Sequence, residues 1–178
     1  EGIAQLENIP NKTANDGTRS IEVFEKIVAE QPDELFGHQN LAIAGVLAAE
    51  KQKGEADERP KKFTATVAKA RESIASLRSF DPESGIAEIL DAKLAITVGD
   101  DEAALLAFDA AIKARPNDYI PKTELFMHVR NSLDAELRGR AIRDAAAAKI
   151  ESLVMLEYLV REQAESKDPK VSETLENM

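Results

Sequence analysis

A recurring phrase constrains this chain more than any other feature. It reads FEKIVAEQPDEL at Phe24–Leu35, ESIASLRSFDPES at Glu72–Ser84 and AFDAAIKARPND at Ala107–Asp118. Each instance is the end of an amphipathic helix closed by a proline, at Pro32, Pro82 and Pro116. Proline has no amide hydrogen to donate, and it pushes the residue before it out of helical geometry. The helix must therefore stop, and a new one must start beyond it. Helix ends repeated in this way, each followed by a fresh apolar segment, are the pattern of stacked helix pairs.

The segments between the stops can be read in the same terms. From Thr18 onward, Ile21, Phe24, Ile27 and Val28 share one helical face, which predicts a helix ending before Pro32. Leu35–Lys51 is apolar nearly all round apart from His38, Gln39 and Asn40, so it is expected to lie between neighbours. Gln52–Lys62 carries Gly54, Pro60 and a run of charges; it reads as a solvated loop inserted into a helical pair, and as a second candidate surface. Helical pattern returns at about Phe63 and runs through Val67, Ala70, Ile74 and Leu77 to Asp81-Pro82.

The next two helices, Gly85–Val98 and Asp101–Arg115, are separated by Gly99-Asp100-Asp101, a turn glycine followed by carboxylates suited to capping. A further helix is expected over Pro121–Ser132 and a long final one over Ala135–Ser166, capped by Asp134. Its inward face would carry Leu137, Ile142, Ile150, Leu153, Leu156 and Val160. The expected organisation is an arm over 1–17, a helical repeat domain over 18–166 and a polar tail over 167–178. The units of the repeat domain fall at about 18–34, 35–84, 85–118 and 119–166.

The unit Gly85–Asp118 has the length of a tetratricopeptide repeat, about 34 residues, and resembles one in detail. Ala92 falls where that family has a small residue in the first helix. Ala104, Phe108 and Ala111 match the small, aromatic and small positions of the second, and Pro116 matches the closing proline. In the frame of Pro82 the matching second-helix positions hold Ala70, Ile74 and Leu77; in the frame of Pro32 they hold Ser20, Phe24 and Ile27. Asn40-Leu41-Ala42 also resembles the core of a tetratricopeptide first helix. The departures are the missing first-helix aromatics, the insertion between Lys51 and Phe63, and Ile150 standing where a fourth closing proline would be. There the helix is expected to continue as a cap.

The resemblance implies an all-α fold, a right-handed α-α superhelix of antiparallel helix pairs with a long C-terminal capping helix. It also implies a groove lined by the first helices of successive units. The matching positions are Phe36, Gln39 and Ile43, then Ile89 and Lys93, then Thr123, Met127, Arg130 and Asn131. Phe36, Ile43 and Ile89 read equally well as core, and Met127 as a gap-filler. The implied role is that of a non-catalytic scaffold or adaptor for a protein or peptide partner. The alternative is a self-association or accessory domain of a larger protein or enzyme, docking or forming a homodimer through the long C-terminal helix.

Composition narrows the function classes. With 23 basic against 33 acidic side chains, the formal net charge of −10 argues against a nucleic-acid partner. There is no cysteine, which removes disulfides, thiolate metal sites and cysteine nucleophiles. The two histidines, His38 and His128, each sit within an apolar helix without a His or Cys partner at ligand spacing. The carboxylate pairs Asp100-Asp101 and Asp57-Glu58 are explained by capping and by solvation. No phosphate loop or nucleophile elbow is present, so neither an enzyme nor a cofactor is expected. No stretch is apolar enough to span a bilayer, and the chain is expected to be soluble, either cytoplasmic or exported after loss of a leader.

Overall fold

A computed structural model of the chain describes residues 18–130, 134–148, 153–165 and 170. The expected arm lies outside them, as does the expected tail apart from Lys170. The described residues are all-helical, with no strand among them. We number the helices α1 (Thr18–Glu30), α2 (Leu35–Gln52), α3 (Pro60–Phe80), α4 (Ile86–Val98), α5 (Asp101–Ala114), α6 (Tyr119–Val129), α7 (Ala135–Ala148) and α8 (Leu153–Glu165).

The recurring phrase becomes a recurring backbone structure. At each stop, the residue before the proline donates its amide to the carbonyl four residues back and closes the last helical turn. The bonds are Gln31 to Ile27 (2.8 Å), Asp81 to Leu77 (2.8 Å) and Arg115 to Ala111 (2.9 Å). The proline then stands second in a turn, where its fixed φ is an asset. Ser84 Oγ accepts from the Ile86 amide and Asp118 Oδ1 from the Ile120 amide, so two of the next helices begin with a side-chain cap. Glu34, in the equivalent place before α2, makes no such cap.

The chain divides into two compact units. The first holds the residues up to Pro82 together with Leu90–Ala104; the second holds Glu83–Ile89 and the residues from Leu105 onward.

In the first unit, α2 packs against α1 on one side and α3 on the other. Ile21 and Phe24 of α1 are buried with Ala44 and Ala48 of α2, flanked by Ile27 and Leu41. The α2–α3 pair is antiparallel. Thr66 Oγ1 donates to Gln52 Oε1 (2.9 Å) at one end, Ser76 Oγ lies 3.2 Å from His38 Nδ1 at the other, and Gly45 meets Ala70 between them. That meeting is close: a Cβ added to Gly45 would lie 2.9 Å from the Ala70 Cα. Arg78 of α3 bridges to Asp91 of α4 at 2.8 Å. Both partners are part-exposed, so the pair contributes little to stability.

In the second unit, α6 packs on α7 and α7 on α8. Leu125, Phe126 and Val129 of α6 are buried, as are Ala141, Ile142, Ala145 and Ala146 of α7. The Tyr158 ring meets Phe126 edge-on at 4.9 Å. At the start of this unit Gly85 adopts φ +68°, and a Cβ there would lie 2.9 Å from the Ala114 Cβ. The end of α5 thus returns to the start of α4.

Two expectations are corrected. The single helix expected over Ala135–Ser166 is two helices, α7 and α8, packed against one another. One straight helix of that length would extend about 50 Å and leave most of its apolar stripe without a partner, whereas two helices packed on one another give each half a neighbour. Ile150 itself lies outside the described residues, and of the other residues expected to face inward Ile142 is buried while Leu137 and Val160 are half-buried. The second correction is Pro60, which is the first residue of α3 rather than part of the preceding loop. That is a position where the missing amide costs nothing.

Because α2 and α3 touch through backbone at Gly45, Gly45→Val is expected to lower stability by about 1–3 kcal/mol, from overpacking that neither helix can relieve. Urea unfolding followed by circular dichroism checks this; an unchanged midpoint would mean the helices are not in contact there.

Candidate functional site

The groove positions expected from sequence divide between the two units. Phe36, Gln39, Ile43 and Lys93 belong to the first; Ile89, Thr123, Met127 and Arg130 belong to the second. Asn131 lies outside the described residues. Ile89 is buried, with 8% of its surface exposed, and so is a core residue rather than a lining one.

In the first unit, α2 turns its α1 side through Gly37, Leu41, Ala44 and Ala48, and its α3 side through His38, Gly45 and Gln52. What remains is a stripe at helical spacing: Phe36, Asn40, Ile43 and Leu47. Phe36 is 46% exposed and Leu47 58%, with Ile43 half-buried between them. Asn40 donates to the Phe36 carbonyl of its own helix (2.9 Å), so the one polar member of the stripe makes a local bond. The Phe36 ring also meets Phe24 edge-on at 6.4 Å, which fixes its base while leaving an outer face open. Leu47 follows Phe36 and Ile43 at the same period and was not among the expected groove positions.

In the second unit, Ile120, Thr123, Met127 and Arg130 form a shorter stripe on α6. Met127 is 44% exposed, and Arg130 Nη1 lies 3.5 Å from its sulfur. Thr123 Oγ1 donates to the Ile120 carbonyl, so its hydroxyl serves its own helix.

The expected loop surface is more tethered than its composition implied. Lys53 begins a short 3-10 turn (Lys53–Glu55), and its Nζ donates to the Ile96 carbonyl (3.1 Å). Gln52 is buried and bonded to Thr66. A shallow recess remains, lined by Gln52, Arg59, Lys62 and Phe63.

Polar side chains that could have carried chemistry have structural partners. His38 Nε2 is 2.8 Å from the Pro32 carbonyl oxygen, an acceptor only, so this nitrogen carries the hydrogen. Nδ1 faces Ser76 Oγ, and the ring stacks on Phe80 at 4.8 Å and 25°. His38 thus ties the α1–α2 turn to the end of α3. The His128 ring lies 6.3 Å from Phe108. Asp100 Oδ1 caps α5 through the Ala103 amide, and Asp134 Oδ1 caps α7 through Leu137. Among the described residues no group of three or more His, Cys, Asp or Glu side chains could hold a metal ion, and no helix is long and apolar enough to cross a membrane.

If His38 acts as this clamp, His38→Ala should lower the thermal midpoint by several degrees, about 1–3 kcal/mol for two hydrogen bonds and a ring contact. Ser76→Ala, which removes one partner, should cost less. Equal and negligible losses from both would show that the turn and α3 are held together otherwise.

No family model matches the chain, and no curated protein matches it.

Proposed function

We propose that the chain is a helical-repeat module of the tetratricopeptide kind, and that it works as a scaffold binding another protein through the outward face of α2. The observation that carries the binding role is the stripe Phe36–Ile43–Leu47, which places large, partly exposed apolar side chains at helical spacing on a face of α2 that α1 and α3 leave open in part. Scattered exposed apolar residues need no explanation, but an aligned set on one helix is a seat for a partner.

Support for the repeat reading comes from the positions singled out by resemblance. Ala92, Ala104, Phe108 and Ala111 are fully buried, and so, within one percent, are Ala70, Ile74 and Leu77. Small residues at these places permit the close helix approach seen at Gly45 and Gly85. The alternative, a self-association or accessory domain docking through its C-terminal region, would have to use α7 and α8, which pack on each other.

A photo-crosslinking residue placed at Leu47, and separately at Leu106 as an exposed control on α5, tests the binding role in cells. The expected outcome is a discrete partner crosslinked from position 47 alone and lost when Phe36→Glu is added. Leu47→Glu should leave stability within about 0.5 kcal/mol, as exposed substitutions do. Identical crosslinks from both positions, or none from either, would reject the reading.

A further inference from the structure

One end of the first unit gathers exposed aromatic, aliphatic and acidic side chains. Because α2 is antiparallel to both α1 and α3, the C-termini of those two helices meet the N-terminus of α2 here. The contacts of His38 fix the arrangement: one ring nitrogen on the Pro32 carbonyl, the other on Ser76, and the ring stacked on Phe80. Leu35 lies one turn before His38 on the same side of α2. Leu35 is 37% exposed and Phe80 41%, so each shows an open face beside the histidine.

The border is acidic. Glu30 ends α1, and Asp33 and Glu34 occupy the turn, all exposed. Glu34 does not cap α2 with its side chain, unlike Ser84 and Asp118 before their helices, so its carboxylate is not spent on the backbone there. The cation in the last turn of α3, Arg78, is engaged with Asp91. Two helix C-termini add the partial negative charge of their last carbonyls, against the partial positive charge of the single α2 N-terminus beside them.

We propose that this end of the first unit is a docking site for a basic segment of a partner protein. An arginine of that segment stacks on the open face of Phe80 beside the carboxylates of Asp33 and Glu34, and a neighbouring apolar side chain covers Leu35. The planar guanidinium suits this seat better than an ammonium, because it stacks on a ring and reaches carboxylates in the same plane. Charge selects the occupant. An acidic segment meets like charges, and a second copy of this chain presenting the same end sets carboxylate against carboxylate. The site lies on a different side of α2 from the Phe36–Ile43–Leu47 stripe, so either can fail without the other.

The test is a nuclear magnetic resonance titration of the full chain, labelled with nitrogen-15, using a synthetic peptide of alternating leucine and arginine, its lysine counterpart and its glutamate counterpart. The arginine peptide should shift the amide signals of Asp33–His38 and of Phe80 and Asp81, the lysine peptide more weakly, and the glutamate peptide not at all. Phe80→Ala, and separately the surface pair Asp33→Asn with Glu34→Gln, should each weaken binding about threefold to tenfold. The pair leaves His38 and its partners in place, so its effect is not one of unfolding. Leu47→Glu should change nothing. Shifts confined to the α2 stripe, equal shifts with the glutamate peptide, shifts of the same signals with protein concentration alone, or no shifts at all would each overturn the proposal.

Discussion

The close contact of α2 with α3 at Gly45 and Ala70 is the constraint on which the first unit depends. With no side chain between the backbones, the two helices have a single workable register, and that register brings Gln52 to Thr66 at one end and His38 to Ser76 at the other. The buried residues of α2 are largely alanine and glycine, which bury little area per residue. Their stabilisation comes from dispersion contacts that exist only when the helices are near. Once two sides of α2 are committed to α1 and α3, the orientation of Phe36, Ile43 and Leu47 toward the outside follows from helical period alone.

The closing prolines act as punctuation, and the residues after them do different work in each case. All three stops share the same closing hydrogen bond, so the geometry of the exit is set by the backbone. Side chains then differ. Ser84 and Asp118 satisfy the amides of the next helix, and Asp118 also sits 2.6 Å from Arg115, whose other guanidinium nitrogen lies 3.4 Å from the Ser84 carbonyl. The turn before α2 has no such lattice and relies on His38, from within α2, to reach back to the Pro32 carbonyl. A turn braced from behind leaves its own acidic side chains, Asp33 and Glu34, at the surface.

How much of this was legible in the sequence depends on the kind of signal. The stops at Pro32, Pro82 and Pro116 and the caps at Asp100 and Asp134 were readable, because each is a local rule carried by one residue. Pro60 was misplaced because proline is equally at home in a loop and at the first position of a helix, and local sequence does not separate the two. The division of the last helix left no mark of its own: no proline or glycine stands between Ala148 and Leu153, and the packing of α7 on α8 rests on contacts that periodicity does not report. Ile89 and Gln39 hold equivalent places in the repeat frame, each seven residues past its closing proline, yet one is buried and the other half-buried. Only neighbours distant in sequence can decide that, and periodicity does not see them.

Charge shows the same limit of bulk description. The net charge of −10 belongs to the whole chain, but at physiological ionic strength charges more than about 8 Å away are largely screened at an exposed surface. What a partner meets is therefore local. The α2 stripe offers apolar side chains around Asn40, whose amide is bonded to its own helix, so contacts there would prolong a complex more than they would speed its formation. The Leu35–Phe80 end sets its apolar faces inside a carboxylate border, where attraction acts before contact and discriminates by sign. The two proposed surfaces on one helix would thus differ in the step of association they control, and that difference arises from which side of α2 each neighbour left uncovered.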